Sequence, residues 1–224
     1  MTHPLHSIRD QVRHLYWRES MGPFFDRLFT RLRLKVLPLE VLNTVVPAQG
    51  KIVEIGCGHG LICNYLGLAN PEREIIGVDI DPRRMTMAKT TLNGRENVHF
   101  QEGRFEHFHF INLDMVILFG VLCVIPIRYW DELFANIHRA LKPGGELLLH
   151  DIRVDDSMLF RLHTFKETLF RVVGITRGEG VNVMPPDVLE KRMMQYGFTV
   201  RALGPELDVP FHSCFTWLLT KQSH

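Results

Sequence analysis

The segment Val53-Glu54-Ile55-Gly56-Cys57-Gly58-His59-Gly60 constrains this chain more than any other. A short apolar run, Lys51–Ile55, leads into three alternate glycines, and a helical pattern starts near Leu61. Glycines at that spacing suit a tight strand-to-helix turn whose backbone comes close to a ligand. A strand, turn and helix of this kind open a βαβ unit, so the rest of the chain is expected to alternate likewise.

It does. Apolar β-like runs recur at Glu74–Val78, Val98–Gln101, Asp114–Phe119 and Glu146–His150, and a helical pattern runs from Pro82 through Lys89. Trp130, Leu133, Phe134, Ile137 and Leu141 mark an amphipathic helix stopped by Lys142-Pro143-Gly144-Gly145. The alternation breaks after Asp151. Residues 155–173 read as a helix with Leu162, Phe165, Leu169 and Val173 on one stripe, followed by a Gly/Pro-rich stretch over 174–186. A further helix at Asp187–Tyr196 is closed by Gly197. Phe198–Leu203 and Cys214–Lys221 are then two strands whose connection is too short for a crossover helix, so they are expected to pair antiparallel. Residues 1–46 read as two helices broken at Met21-Gly22-Pro23. The second carries Phe25, Leu28, Leu32 and Val36 on one stripe, with Arg27, Arg31 and Lys35 beside it.

The acid and the glycines together narrow the ligand. A dinucleotide fingerprint is G-x-G-x-x-G, but here the third glycine comes one position early and Leu61 takes the dinucleotide slot. Glu54 would add negative charge beside a pyrophosphate, whereas it suits a ligand carrying a positive amino group and a sulfonium. Asp79, at the end of the second strand, is placed to accept both ribose hydroxyl protons. Asp81 directly precedes Pro82 and reads as the cap of the next helix. The two motifs in register point to a bound nucleoside.

With VEIGCGHG, GVDIDPRRM, LDMVILFGVLCVIP and IHRALKPGGELLLHD in this order, the chain resembles the class I S-adenosylmethionine-dependent methyltransferases over about residues 50–221. The resemblance implies an α/β fold with a doubly wound, seven-stranded, mostly parallel sheet and a final antiparallel strand. N-terminal helices and a helical insert after the fifth strand complete the expectation. A single domain over 1–224 follows: helices 1–46 as a lid, a cofactor-binding half at 50–151, the insert and loop at 152–186, and a closing helix and strand pair at 187–224. The expected cofactor is S-adenosylmethionine, with Gly56, Gly58 and Gly60 beside its methionine part and Asp79 on its ribose. Glu54, Cys57, Ile80, Arg104, Phe105 and Phe119 complete the expected cofactor set, and no metal is expected.

Two departures from the family matter. After the third strand the family often has Gly-Asp, whose Asp accepts from the adenine amino group, but this chain has Gly103-Arg104. Arginine has only donors, which leaves Phe105 to pack on the adenine and Glu102 or Glu106 as acceptors. Either Arg104 turns to solvent and is dispensable, or it pairs with one of those glutamates and shapes the loop. The end of the fourth strand, Phe119-Gly120-Val121-Leu122-Cys123, lacks the Asn/Asp-Pro-Pro-aromatic signature of enzymes that methylate nucleobase amino groups.

Methyl transfer to a hydroxyl or acidic carbon needs a base with a pKa near working pH. His150, with Asp151, stands at the carboxyl end of the fifth strand, where doubly wound sheets place ligands, and is the expected base. His163 and His212 are further candidates. Aromatic residues on 1–35 (Tyr16, Trp17, Phe24 and Phe25) and on the insert (Phe160 and Phe170) fit a lid over a small, apolar, lipid-like acceptor.

Composition excludes other partners. A net charge of +1 argues against a dedicated nucleic-acid binder. No apolar run approaches the roughly 20 residues of a membrane span, which leaves only peripheral contact through the basic edge of residues 27–35. The opening residues lack a signal-peptide core, so a cytoplasmic location is expected. Cys57, Cys63, Cys123 and Cys214 form no C-x-x-C pair and read as buried reduced thiols. The rival readings are an NAD-dependent oxidoreductase and a non-catalytic nucleoside-binding module of the same fold.

Overall fold

The computed structural model describes residues 7–16, 24–153, 182–209 and 213–222. The expected break at 21–23, the insert helix at 155–173, His163, His212, Trp17, Phe160 and Phe170 lie outside them, as do the side chains of Phe24 and Phe25.

Among the described residues, seven strands form one sheet: β1 (Gly50–Ile55), β2 (Arg73–Asp79), β3 (Val98–Glu102), β4 (Leu113–Phe119), β5 (Leu141–Ile152), β6 (Phe198–Ala202) and β7 (Cys214–Lys221). Their order is β3-β2-β1-β4-β5-β7-β6. β7 runs antiparallel to both β5 and β6. This is the expected mostly parallel sheet, with its antiparallel strand inserted second from the edge. The chain divides into two compact units, residues 1–103 and 104–224.

In the first unit, β1, β2 and β3 pair parallel, connected through α4 (Leu61–Ala69) and α5 (Pro82–Thr90). Their core is apolar, with Ile52, Val53, Ile75, Val98 and Leu66 fully enclosed. Burying side chains of this size stabilises by about 1.5–3 kcal/mol each. Asp81 caps α5 by accepting the Arg83 backbone N–H at 3.0 Å, with Pro82 in the first turn, as its spacing implies.

The N-terminal part departs from expectation. Among the described residues of this part there are three helices where two were expected: α1 (Ile8–Leu15), α2 (Phe24–Val36) and α3 (Leu39–Val45). Pro38 separates the last two, because a proline removes a backbone donor and pushes the preceding residue out of the helical region. The Arg9 guanidinium secures the junction, donating to the carbonyls of Leu34 and Leu37 and pairing with Glu40. Arg73 does the same for α3, donating to Asn43 Oδ1 at 2.6 Å and to the Val46 and Pro47 carbonyls at 3.1 and 2.7 Å. The apolar stripe of α2 is real but faces outward: Leu28, Leu32 and Val36 are exposed, while Thr30 and Leu34 are buried.

In the second unit, β4 and β5 pair parallel, and α6 (Trp130–Ala140) buries Trp130, Leu133, Phe134 and Ile137. α6 ends one residue earlier than its periodicity suggests. Leu141 already belongs to β5, opposite Leu113, and a register shift absorbs Lys142–Gly145 before Glu146 meets Met115. α7 (Pro186–Gln195) precedes β6, and Gly197 follows it with a positive φ of 84° in the expected stop position.

Candidate functional site

The glycine turn after β1 has positive φ at each alternate position: 71° at Gly56, 56° at Gly58 and 77° at Gly60. L-residues with a Cβ rarely adopt such angles. The turn is fastened to β2, since the backbone N–H groups of Gly56 and Cys57 both donate to the Val78 carbonyl, at 2.7 and 3.1 Å. The glycines differ in surroundings. A Cβ at Gly60 would meet the Phe100 ring, 2.6 Å from Cε1 and closer still to Cζ. At Gly58 it would meet nothing within 4 Å. Gly60 is therefore required by packing, and Gly58 keeps open space beside the turn.

Asp79 sits under this turn. One carboxylate oxygen accepts the Gly58 N–H at 2.8 Å and the other the Asp81 N–H at 2.9 Å. Each oxygen has a second acceptor position left by these bonds. The next residue, Ile80, is 53% exposed.

Glu54 is buried below the turn. Its Oε2 accepts from the Cys63 N–H at 3.2 Å and from the Cys63 thiol at 2.8 Å. Burial pushes its carboxyl up to about pKa 7, against the opposing pull of the Cys63 hydrogen bond. Burial also raises Cys57 to about 11 and Cys63 well above its ordinary value, so both thiols stay protonated.

His59 and Tyr16 belong to this assembly, a link that no local pattern in either segment encodes. The hydroxyl of Tyr16, the residue that caps the C-terminal end of α1, donates to the His59 carbonyl at 2.6 Å and accepts from Asn64 Nδ2 at 2.7 Å. Tyr16, expected in a lid, instead buttresses the turn. The His59 ring is 6% exposed. Its Nε2 lies 3.7 Å from Asp26 Oδ1, beyond hydrogen-bond reach. Burial first, then the positive charge of Arg84, pushes its pKa down to about 4. The imidazole is therefore neutral and the Asp26 contact is not an ion pair.

The remaining expected residues lie in the second unit. Phe105 is buried and stacks on Phe110, centroids 5.3 Å apart. Arg104 takes the pairing alternative: its Nε lies 3.4 Å from Glu106 Oε2 and its guanidinium 4.5 Å over the Tyr129 ring. Arg104→Asp is therefore expected to lower stability, by about 0.5–1.5 kcal/mol for a lost ion pair and cation–π contact. Urea denaturation checks this, and an unchanged midpoint would show that the side chain is idle.

Phe119, His150 and Thr216 are neighbours on adjacent strands, opposite one another in the β4–β5 and β5–β7 registers. The Phe119 and His150 rings stack at 4.0 Å and 10°, and His150 Nδ1 lies 2.8 Å from Thr216 Oγ1. Asp151 accepts from the Cys123 N–H at 3.0 Å and the Ile152 N–H at 2.7 Å. Burial pushes its carboxyl up to about pKa 6 despite these bonds. Among the described residues, no group of three metal-ligating side chains stands together, and no helix is long and apolar enough to cross a membrane.

Residues 53–147 match the family model described as a methyltransferase domain. An O-methyltransferase of Dictyostelium discoideum is 27% identical over 165 residues, covering 71% of this chain and 40% of that protein. The cyclopropane-fatty-acyl-phospholipid synthase of Escherichia coli K12 is 29% identical over 138 residues, covering 61% of this chain and 34% of that one. The chain thus spans less than half the length of either relative. Among solved structures, magnesium protoporphyrin IX methyltransferase from Synechocystis shares the fold with a TM-score of 0.64 at 15% identity, covering 95% of this chain and 94% of that one.

Proposed function

The chain belongs to the class I S-adenosylmethionine-dependent methyltransferase family, and from that premise we propose that it transfers a methyl group from S-adenosylmethionine to a small apolar acceptor, at oxygen or carbon. The observation that carries this reading is the open space at Gly58, with the Asp79 carboxylate bonded beneath it. In the first unit the proposed cofactor set is Glu54, Gly56, Cys57, Gly58, Gly60, Asp79 and Ile80. A buried carboxylate at Glu54 suits a cationic ligand, and the spare acceptor positions of Asp79 suit ribose hydroxyls. Exposed Ile80 offers an apolar contact to a base. In the second unit, the backbone of Arg104 and Phe105 and the ring of Phe119 keep the cofactor roles that the resemblance implies, and His150 is proposed as the base.

When bound, S-adenosylmethionine supplies a methyl group already activated on its sulfonium. The chain's own work is then to hold, align and exclude water, and to take a proton from an acceptor hydroxyl or acidic carbon. The apolar acceptor draws support from the Escherichia coli relative, whose name places its chemistry on a fatty-acyl phospholipid. Release of the demethylated cofactor during incubation with apolar hydroxylated compounds tests the activity. Binding without turnover on any of them would favour the non-catalytic reading.

Asp79→Ala is expected to weaken cofactor binding by about 1.5–3 kcal/mol, the range for hydrogen bonds to a charged group. Calorimetry on the folded variant checks this, and an unchanged Kd would remove Asp79 from the site.

Glu54 predicts a pH dependence. Its folded pKa of about 7 lies above its ordinary 4.5, so the fold favours the neutral acid. The stability it contributes is present below about 4.5 and is lost as pH rises through 7. A cationic ligand favours the ionised form, so binding should strengthen about tenfold from roughly pH 6 to pH 8 as ionisation completes. Glu54→Gln should flatten that profile, and calorimetry across the range measures both. A slope unchanged in Glu54→Gln would place the titrating group elsewhere.

A further inference from the structure

The outward face of α2 goes beyond the methyl-transfer reading and stands independently of it. Leu28, Leu32 and Val36 are four residues apart and form one row along the helix. They are 41%, 55% and 37% exposed, on the side opposite buried Thr30 and Leu34. Arg27, Arg31 and Lys35 each precede a member of this row by one position and form the adjoining row, and Arg33 lies on the other side. The helix carries these four positive residues against one acidic residue, Asp26, for a net charge of +3. Long Arg and Lys stems can lie along an apolar row while their charged heads reach outward.

The helix is held firmly enough to present this face. Arg9 fastens its C-terminal end through the Leu34 and Leu37 carbonyls. Phe29 packs against buried His59, with centroids 5.9 Å apart. We propose that α2 is an in-plane docking helix for an anionic phospholipid bilayer. Leu28, Leu32 and Val36 enter the boundary between headgroups and acyl chains, and the adjoining Arg27, Arg31 and Lys35 face lipid phosphates, whereas the Arg33 guanidinium lies over the Phe29 ring on the inner side. Apolar rows flanked by basic residues have this affinity for anionic membrane surfaces. Charge decides against a second copy of the chain: pairing the same face with itself would set one basic row against another, with a single Asp26 on each side to offset them.

The test is flotation of the full chain with vesicles of phosphatidylcholine alone or containing about one-third phosphatidylglycerol. Binding to the anionic vesicles is expected to be at least about tenfold stronger, and to fall as salt screens the basic row. The double variant Leu28→Ser, Leu32→Ser replaces only exposed side chains and should keep the fold by circular dichroism. Its vesicle binding should fall about tenfold or more. Arg31→Glu with Lys35→Glu should abolish the preference for anionic vesicles. Equal binding to both vesicle types, no binding, or double-serine binding equal to wild type would overturn the proposal. So would a wild-type dimer in solution that the double-serine variant converts to monomer, because the face would then belong to a second copy.

Discussion

Gly60→Ala is expected to lose about 2–5 kcal/mol of folding stability, read as a lower denaturation midpoint at unchanged slope. Two costs combine. The backbone at Gly60 has φ 77°, where an L-residue is strained by about 1–2 kcal/mol. The new methyl would also press on Phe100, whose ring is itself buried in β3 between strand and helix neighbours, at an overpacking cost of about 1–3 kcal/mol. Gly58→Ala provides the contrast. It carries a similar backbone strain at φ 56° but meets no atom within 4 Å, so its stability loss should stay near about 1–2 kcal/mol. Its methyl instead enters the space assigned to the cofactor, so binding should suffer more than folding. Equal destabilisation by the two substitutions would show that the glycines are not divided between packing and ligand approach.

His150→Ala is expected to lower kcat by about 10²–10⁴-fold, the usual contribution of a positioned general base, with cofactor affinity unchanged. The ring is fixed from two sides by strand register, stacked on Phe119 and bonded through Nδ1 to Thr216. If Nδ1 donates to the threonine oxygen, Nε2 is left with the lone pair that takes a proton. With His150 proposed as the base, Thr216 is proposed to position its ring, and Thr216→Val should then shift the pH profile of kcat. The rates are measured on the hydroxylated apolar compound that supports turnover best. His150→Gln separates chemistry from packing, because it fills much of the same volume without titrating. Activity near wild type in His150→Gln would make the residue a packing element and move attention to Asp151, whose carboxyl is already raised to about pKa 6.

The glycine turn was legible in the sequence because everything that defines it is local. Glu54 through Gly60 is one strand end and one turn, and Asp79 is the end of the next strand. The α5 cap was equally readable, since Asp81 and Pro82 act within a single turn. What stayed hidden depends on distance or on direction. Tyr16 meets the His59 carbonyl across 43 residues, and no periodicity on either segment encodes that partnership. The spacing of Leu28, Leu32 and Val36 shows that they share a face of α2, but spacing does not tell which way the face points. The burial of Thr30 and Leu34 on the other side decides it. Arg104 was a visible departure with two outcomes, and the position of Tyr129, 25 residues away in sequence, favoured pairing over solvent. The break at Pro38 was readable in principle, because proline ends helices for a local reason.

The turn at Glu54–Gly60, with Asp79, is proposed to receive S-adenosylmethionine and not a dinucleotide. Calorimetric titration of the wild-type chain with S-adenosylmethionine, its demethylated product and NAD tests this most directly. The first two are expected to bind, and NAD to bind more weakly than either. NAD binding more tightly than S-adenosylmethionine would contradict it.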